Sequence, residues 1–143
     1  MSAPAVEIEL VAAPGAAEEQ AILDALIAYN DAAAGPGGHQ PLAVVVRDAA
    51  GAVIGGLWGT TSYRWLFVRY LVLPATMRGQ GIGTRLMAAA QDEARRRDCL
   101  GMWLDTFSFQ AEGFYHKLGF ATFGTIADYP PGGARHFLAK RFD

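Results

Sequence analysis

Apolar residues recur along the chain with two different periods, which predict strands and helices in a definite order. Residues 6–12 begin by alternating between apolar and acidic side chains, a pattern typical of a half-buried strand. From Glu18 to Tyr29 the apolar residues fall on one face at helical spacing, with acids in the first turn, which predicts an amphipathic helix. Residues 34–41 are rich in glycine and proline and predict a loop.

The middle of the chain predicts three consecutive strands. Residues 42–46 and 52–63 are expected to form a hairpin around a turn at residues 48–51. Gly55-Gly56 inside the second arm indicates a bulge or the close approach of another backbone. Residues 65–73 are apolar apart from one arginine and predict a long strand near the centre of a sheet.

The remaining residues continue the alternation of helices and strands. They predict a helix from Gly79 or Gln80 to Arg97 with Ile82, Leu86, Ala90 and Ala94 facing inward, a strand at Leu100–Phe107, a short helix at Gln110–Leu118, a strand at Phe120–Ile126, a loop at Asp128–Gly133 and a last strand at Arg135–Arg141. A helix that links two strands implies at least one parallel pair. The order predicts an α/β (α+β) fold, in one domain spanning residues 1–143, with a central mixed sheet of about seven strands flanked by helices.

Composition and charge narrow the classes of function. Apolar residues make up 52% of the chain and the net charge is −2, which predicts a compact globular protein. The run Arg95-Arg96-Arg97 is better explained by the negative end of a helix than by nucleic-acid binding, which we do not expect. Cys99, the single cysteine, is expected to be a buried filler. We predict no metal site, signal peptide or membrane span, and a cytoplasmic location.

A glycine-rich turn follows the predicted central strand. In Arg78-Gly79-Gln80-Gly81-Ile82-Gly83, the opening of a helix leaves backbone N–H groups unpaired, and the helix dipole adds positive potential there. Glycines let a diphosphate approach the backbone closely, and Arg78 adds a guanidinium suited to phosphate oxygens. A plain strand-to-helix turn would need fewer glycines, and the spacing fits neither a nucleoside-triphosphate loop nor a dinucleotide fingerprint.

Two motifs together resemble the GNAT superfamily of N-acetyltransferases. The first is Arg78-x-x-Gly81-x-Gly83 after a strand, which is similar to the family's acetyl-CoA signature. The second is residues 111–120, which are similar to the A-x-x-F-Y-x-x-x-G-F segment that follows the family's fifth strand. With the element order, the resemblance extends over essentially the whole chain. It implies a splayed sheet with the pantetheine arm of acetyl-CoA lying in the opening.

The resemblance also implies which residues hold acetyl-CoA. The strand before the turn would bond pantetheine through its backbone, the turn would bind the pyrophosphate, and side chains after the fifth strand would face the cofactor. Ser108 stands where many members have asparagine, and its shorter hydroxyl could still bond pantetheine. The implied set is Leu71, Val72, Leu73, Arg78, Gly79, Gln80, Gly81, Ile82, Gly83, Thr84, Ser108, Phe114 and Tyr115.

By the same resemblance, Tyr115 would protonate the departing thiolate, although a tyrosine packed in the core is the alternative. The residue that deprotonates the attacking amine is less defined. Many relatives use a carboxylate on the fourth strand, where this chain has Arg69. Asp105, Glu112 and His116 are the candidate bases, each with a structural alternative, and water alone could serve.

The acceptor is expected on the side opposite coenzyme A, near Trp58, Arg69, Tyr129 and His136, each of which could equally be structural. The leading hypothesis is transfer of an acetyl group from acetyl-CoA to a primary amine of a small molecule by direct attack. The alternatives are a protein or peptide N-acetyltransferase and a non-catalytic acyl-CoA sensor. The last strand could also pair between subunits and give a homodimer.

Overall fold

Helices and strands alternate through most of the structure, a computed structural model that describes residues 4–143. In chain order the elements are α1 Ala16–Ala34, β1 Gln40–Arg47, β2 Val53–Ser62, β3 Trp65–Val72, a 3-10 turn at Ala75–Met77, α2 Ile82–Arg96, β4 Gly101–Phe107, α3 Glu112–Lys117, β5 Ala121–Ala127 and β6 Ala134–Arg141. The chain divides into two units, Met1–Pro36 and Gly37–Asp143. That the whole chain is one acetyltransferase domain stays a prediction.

The first unit contains helix α1, which confirms the predicted helix and extends it at both ends, although none of its residues is buried. The backbone N–H of Gly15 donates to the Glu18 carboxylate at 3.2 Å, so one orphan donor at the helix start is satisfied. Glu18 and Glu19 place negative charge in the first turn, which is favourable beside the positive end of the helix dipole.

The strand predicted at residues 6–12 is wrong. The structure assigns no strand to these described residues, and the side chains of Val6, Ile8 and Leu10 are exposed. An alternating pattern becomes a strand only when another strand supplies hydrogen bonds, and residues 4–36 contain no second strand to pair with. The described sheet therefore has six strands, where about seven were expected.

The second unit contains a mixed sheet with strand order β1-β2-β3-β4-β6-β5. The predicted hairpin is β1 and β2, and the predicted parallel pair is β3 and β4, aligned from Trp65 opposite Gly101 to Val68 opposite Leu104. The close backbone approach predicted at Gly55 is confirmed, since a Cβ there would lie 2.7 Å from the Val72 carbonyl oxygen. The sheet thus pairs the first halves of β3 and β4 at its centre.

One face of the sheet and helix α2 form the core. The largest fully buried side chains come from strands β3, β4 and β6 and are Leu66, Met102, Leu104 and Leu138. Helix α2 contributes Leu86, Ala90 and Ala94, which confirms most of its predicted inward stripe, whereas Ile82 at the first position is half-buried. Small alanines at this contact let the helix lie close to the strands.

β3 and β4 separate after their paired segment. Opposite β2, Trp58 aligns with Tyr70 and Gly59 aligns with Val68, so Arg69 is an extra residue in β3. Such a bulge bends its strand and interrupts pairing. The parallel register with β4 stops at Val68 and Leu104, although β3 runs to Val72 and β4 runs to Phe107. We call this opening, between residues 69–72 of β3 and 105–107 of β4, the splay.

Candidate active site

The turn after β3 presents unpaired backbone donors to open space. Gly79 and Gly81 adopt positive φ angles of 78° and 75°, and a Cβ on either would contact nothing within 4 Å. The first bond of the helix is Arg85 N–H to the Gly81 carbonyl oxygen at 3.1 Å. Within residues 4–143, the N–H groups of residues 79–84 have no hydrogen-bond partner. The turn can therefore bind an anion through several N–H groups.

Two further residues shape this turn. Arg78 is exposed, and its guanidinium forms no hydrogen bond or ion pair with the rest of the described chain, so its charge is available to a ligand. Gly83 has a different role, because a Cβ there would lie 3.2 Å from the Phe114 ring. Its missing side chain lets Phe114 of α3 pack against the start of α2. The predicted cofactor residues Gly83 and Phe114 are thus brought together.

The splay has a backbone face on β3. Leu71 and Val72 pair with Leu57 and Gly56 of β2 on one side, and beyond Val68 the strand has no aligned partner in β4 on the other. Main-chain groups on that side therefore have no strand partner, and their bonding to pantetheine stays a prediction. Leu73 follows directly as the chain leaves the strand.

Ser108 lies just after β4 and is tied to β6. Its Oγ accepts a hydrogen bond from the Ala134 backbone N–H at 3.0 Å, and its own N–H donates to the Ala134 carbonyl oxygen at 2.8 Å. The hydroxyl hydrogen remains free to be donated. Ser108 therefore helps to fix the chain after β4 in place, and a bond to pantetheine remains a prediction for its O–H group.

Tyr115 is the buried side chain of α3. Its ring packs against Phe114 and Phe120, with centroids 5.1 and 6.0 Å away. Burial, and secondly the negative charge of Asp105, raise the pKa of Tyr115 to about 12. The Tyr115 hydroxyl forms no hydrogen bond within residues 4–143. Because every fully buried side-chain polar atom of these residues has a hydrogen-bond partner, the Tyr115 hydroxyl oxygen must be accessible to solvent. The group is a neutral phenol that can donate a proton outward.

Asp105 is bound to an arginine that the sequence analysis did not single out. Its Oδ1 accepts from Arg135 Nε at 2.8 Å, and a second guanidinium nitrogen forms an ion pair with it at 2.7 Å. Arg135 also donates to the Tyr129 hydroxyl at 2.8 Å. Its guanidinium lies 5.0–5.5 Å from the ring centroids of Phe107, Tyr129 and Phe137. Asp105, the one charged residue of β4, was the sequence signal that a basic partner lies nearby.

The other two candidate bases lie in one polar cluster. Glu112 Oε2 accepts from the Thr122 hydroxyl at 3.0 Å and lies 3.9 Å from His116 Nε2 and 3.6 Å from His136 Nδ1. His116 Nε2 also contacts Thr122 Oγ1 at 2.9 Å. Two candidate bases and one predicted acceptor-binding residue therefore share one site. Within residues 4–143, no group of His, Cys, Asp and Glu side chains, this cluster included, is arranged so that it could hold a metal ion.

The four predicted acceptor residues separate into different regions. Trp58 and Arg69 lie on adjacent strands beside Tyr70, whose ring is 5.2 Å from the Arg69 guanidinium carbon. Tyr129 bonds Arg135, whereas His136, the next residue along β6, belongs to the polar cluster. Because successive strand residues point to opposite faces, Tyr129 and His136 serve opposite sides of the sheet.

Two cavities adjoin these residues. One of about 420 Å³ is lined by Phe107, Phe109, Asp128, Tyr129, Pro130 and Pro131. The other, of about 250 Å³, is lined by Thr84, Met87, Ala88, Gln91, Asp92, Met102, Leu118, Phe120 and Lys140. Among the helices of residues 4–143, none has both the length and the apolar character needed to cross a membrane.

Comparison with known sequences identifies related proteins. The family model described as "Acetyltransferase (GNAT) family" matches residues 7–120. An acetyltransferase from Agrobacterium fabrum is 40% identical over 124 residues, covering 87% of this chain and 90% of that protein. Blasticidin-S acetyltransferase from Streptomyces morookaense is 41% identical over 105 residues, covering 71% of this chain and 77% of that protein.

Solved structures share the fold. A crystal structure from Agrobacterium tumefaciens, assigned as an acetyltransferase, superposes with a TM-score of 0.92 at 38% identity, covering 96% of this chain and 100% of that one. An aminoglycoside 6'-N-acetyltransferase solved with coenzyme A superposes with a TM-score of 0.62 at 21% identity, covering 71% of this chain and 72% of that one. The expected fold class, including the splayed sheet, is confirmed.

Proposed function

Because the chain belongs to the acetyltransferase (GNAT) family, we propose that it transfers the acetyl group of acetyl-CoA to a primary amine of a small molecule by direct attack. The observation that carries this proposal is the turn at residues 78–84, where unpaired N–H groups and a free guanidinium lie at the end of one side of the splay. This placement suits a cosubstrate with an extended arm and a diphosphate.

The residues of the turn and of β3 hold the cosubstrate. The N–H groups of residues 79–84 donate to diphosphate oxygens, and Arg78 adds a charge-assisted bond. The main chain of residues 71–73 bonds the pantetheine amides, which takes up the donors and acceptors that β4 leaves unpaired. Phe114, packed against Gly83, keeps α3 next to the helix start.

Acetyl-CoA supplies a thioester whose carbonyl carbon the amine nitrogen attacks, so that a C–N bond forms, the C–S bond breaks and coenzyme A leaves as a thiolate. Tyr115 donates its hydroxyl proton or a hydrogen bond to the leaving sulfur. A pKa of about 12 keeps the phenol protonated at neutral pH, so the donor is present in every molecule. Because a raised pKa also makes the phenol a weaker acid than the departing thiol, this environment favours a hydrogen bond from Tyr115 to the leaving sulfur over complete transfer of the proton.

The amine must lose its proton before attack, because a typical alkylammonium has a pKa near 10. Asp105 is engaged by two Arg135 nitrogens, and this favours a positioning role for its carboxylate. Glu112 and His116 share the polar cluster with Thr122, which gives them a connected path for a proton. Because the cluster lies on the side of the sheet opposite Tyr129, we propose that the amine gives its proton to water, which passes it to this cluster or to bulk solvent.

A small-molecule acceptor is supported by the relative from Streptomyces morookaense, whose name states an antibiotic as its acetylation target. The cavity of about 420 Å³ next to the Asp105–Arg135 pair is also within the size range of small-ligand sites, about 300–1,000 Å³. Acetylation of a protein would require a surface able to accept an extended peptide instead.

The test is acetyl-CoA binding by calorimetry together with thiol release across a panel of amines, with products weighed by mass spectrometry. Arg78→Ala removes a charge-assisted bond and should weaken acetyl-CoA binding about tenfold. Arg47→Ala is the matched control, since Arg47 is an exposed arginine of β1 that bonds the Gly51 carbonyl oxygen. Undetectable acetyl-CoA binding, or equal binding by both variants, would count against the proposal.

A further inference from the structure

The cavity after β4 has walls made almost entirely of flat apolar side chains. We call it the aromatic slot, and its lining residues are Phe107, Phe109, Asp128, Tyr129, Pro130 and Pro131. They come from the end of β4 and from the loop between β5 and β6. Aromatic faces and proline rings favour planar partners, because flat groups stack on them over a large area.

Contacts among the aromatic rings and with the Arg135 guanidinium fix the shape of the slot. The Phe107 and Phe109 rings are stacked with centroids 5.2 Å apart and planes within 6°, and the Tyr129 ring lies 5.4 Å from Phe107. The Arg135 guanidinium contacts both Phe107 and Tyr129 and bonds the Tyr129 hydroxyl. Asp105 fixes that guanidinium in turn. A preformed slot loses little conformational entropy when a ring enters it.

The slot leaves aromatic surface uncovered. Phe109 is 69% exposed although it stacks on Phe107, and Tyr129, whose ring is tilted against Phe107, is also exposed. A cluster of exposed aromatic rings beside a cavity is more typical of a ligand groove than of ordinary surface, because covering such rings removes apolar area from water.

The charge around the slot is negative. Asp128 is the charged side chain of its lining, and within the described chain this carboxylate receives one long bond, from Gly132 N–H at 3.5 Å. The positive charge of Arg135 is balanced by Asp105. A ligand that places a carboxylate in the slot would therefore face an unbalanced negative charge, while a neutral or cationic ring would not.

The slot adjoins the proposed reaction site through β4. Phe107 is two residues from Asp105, on the side of the splay opposite Leu71. Phe107 is itself one of the β4 residues that border the splay. A ring in the slot thus lies beside the place where the proposed chemistry occurs.

From this geometry we infer that the acceptor carries a planar, apolar ring, neutral or cationic and without a carboxylate, which enters the aromatic slot while its amine reacts. This inference rests on the proposed function and names its substrate class. A peptide acceptor is the competing occupant and would be distinguished by the test.

The experiment compares two amines of similar size, 2-phenylethylamine and 2-cyclohexylethylamine, which differ in the planarity of the ring. The wild-type protein should acetylate the planar amine with kcat/KM about threefold to tenfold higher. Phe109→Ala should bring this ratio close to one through KM. Phe123→Ala is the matched control, since Phe123 is 64% exposed and lies outside the slot, and it should keep the wild-type ratio.

The charge is tested separately with tryptamine and tryptophan. The wild-type protein should prefer tryptamine, and Asp128→Asn should reduce that preference while leaving the ratio for the two carboxylate-free amines unchanged. An unchanged preference in Asp128→Asn overturns the charge assignment.

Failure of the inference and failure of the proposed function give different results. If both ring amines are acetylated equally, or if a peptide is acetylated and ring amines are not, the slot inference is overturned while acetyl transfer stands. If no amine is acetylated, the slot inference is tested by measuring the binding of 2-phenylethylamine to the protein saturated with coenzyme A. Binding that Phe109→Ala abolishes supports the inference, and absence of binding overturns it.

Discussion

Replacing Asp105 by asparagine should destabilise the protein by about 2 kcal/mol. The side chains of Asp105 and Arg135 are 17% and 27% exposed, between the fully buried and the surface case. Breaking a buried pair costs about 3–5 kcal/mol, whereas exposed pairs contribute about 0–1 kcal/mol. Asp105→Asn keeps the volume and leaves the Arg135 guanidinium with the Tyr129 hydroxyl and three aromatic rings. Because the pair is half-buried, we expect a loss of unfolding free energy between these two limits.

Urea unfolding followed by tryptophan fluorescence measures the change in unfolding free energy. Asp98→Asn is the control, because Asp98 and Arg64 form a 3.5 Å pair whose side chains are 88% and 56% exposed, and a change within about 0.5 kcal/mol is expected. The double variant Asp105→Asn with Arg135→Met should recover part of the loss, since no unpaired charge is left behind. If Asp105→Asn is as mild as Asp98→Asn, the pair does not hold β4 and β6 as described.

The other predictions concern the proposed donor and the glycine turn. Tyr115→Phe should lower kcat about a hundredfold, within the range of general acids, and leave the acetyl-CoA Kd unchanged by calorimetry; an unchanged kcat would show that Tyr115 is not the acid. Because the neutral phenol is lost only as the pH rises through about 12, absorbance titration should show Tyr115 still protonated at about pH 10, and Asp105→Asn should lower its pKa, since burial alone then remains as the cause. Gly81→Ala places a side chain at φ 75° and should cost about 1–2 kcal/mol in unfolding free energy and weaken acetyl-CoA binding. Gly83→Ala should disturb the Phe114 contact instead, seen as altered packing in near-ultraviolet circular dichroism, and identical behaviour of the two glycine variants would contradict their different roles.

Most of the fold was predictable because its elements carry strong local signals. Helix α2 has a clear inward stripe, and the hairpin of β1 and β2 has alternating or continuous apolar runs around a turn. The strand predicted at residues 6–12 failed because its signal is equally local, while strand formation requires a partner backbone that residues 4–36 do not supply. The periodicity of apolar residues indicates which face a segment could bury. It does not indicate whether another segment packs against that face or pairs with the backbone.

The candidate site was predictable to different degrees. The turn at residues 78–84 depends on glycine conformation and on the start of one helix, both of which are readable from neighbouring residues. The Asp105–Arg135 pair joins residues 30 positions apart, through the antiparallel register of β4 and β6. The cluster of Glu112, His116 and His136 similarly depends on how α3 lies next to β5 and β6.

By itself, the amino-acid sequence determined the family, the turn that opens helix α2 and the chemical types of side chain available for binding and catalysis. These features follow from spacing, backbone freedom and side-chain chemistry within short segments. The tertiary structure decided how those residues are used. It committed Asp105 to Arg135, placed Tyr129 and His136 on opposite faces of the sheet and gathered Phe107, Phe109 and Tyr129 around a slot. Such partnerships depend on strand order and register, which are set by the sum of many contacts between distant parts of the chain.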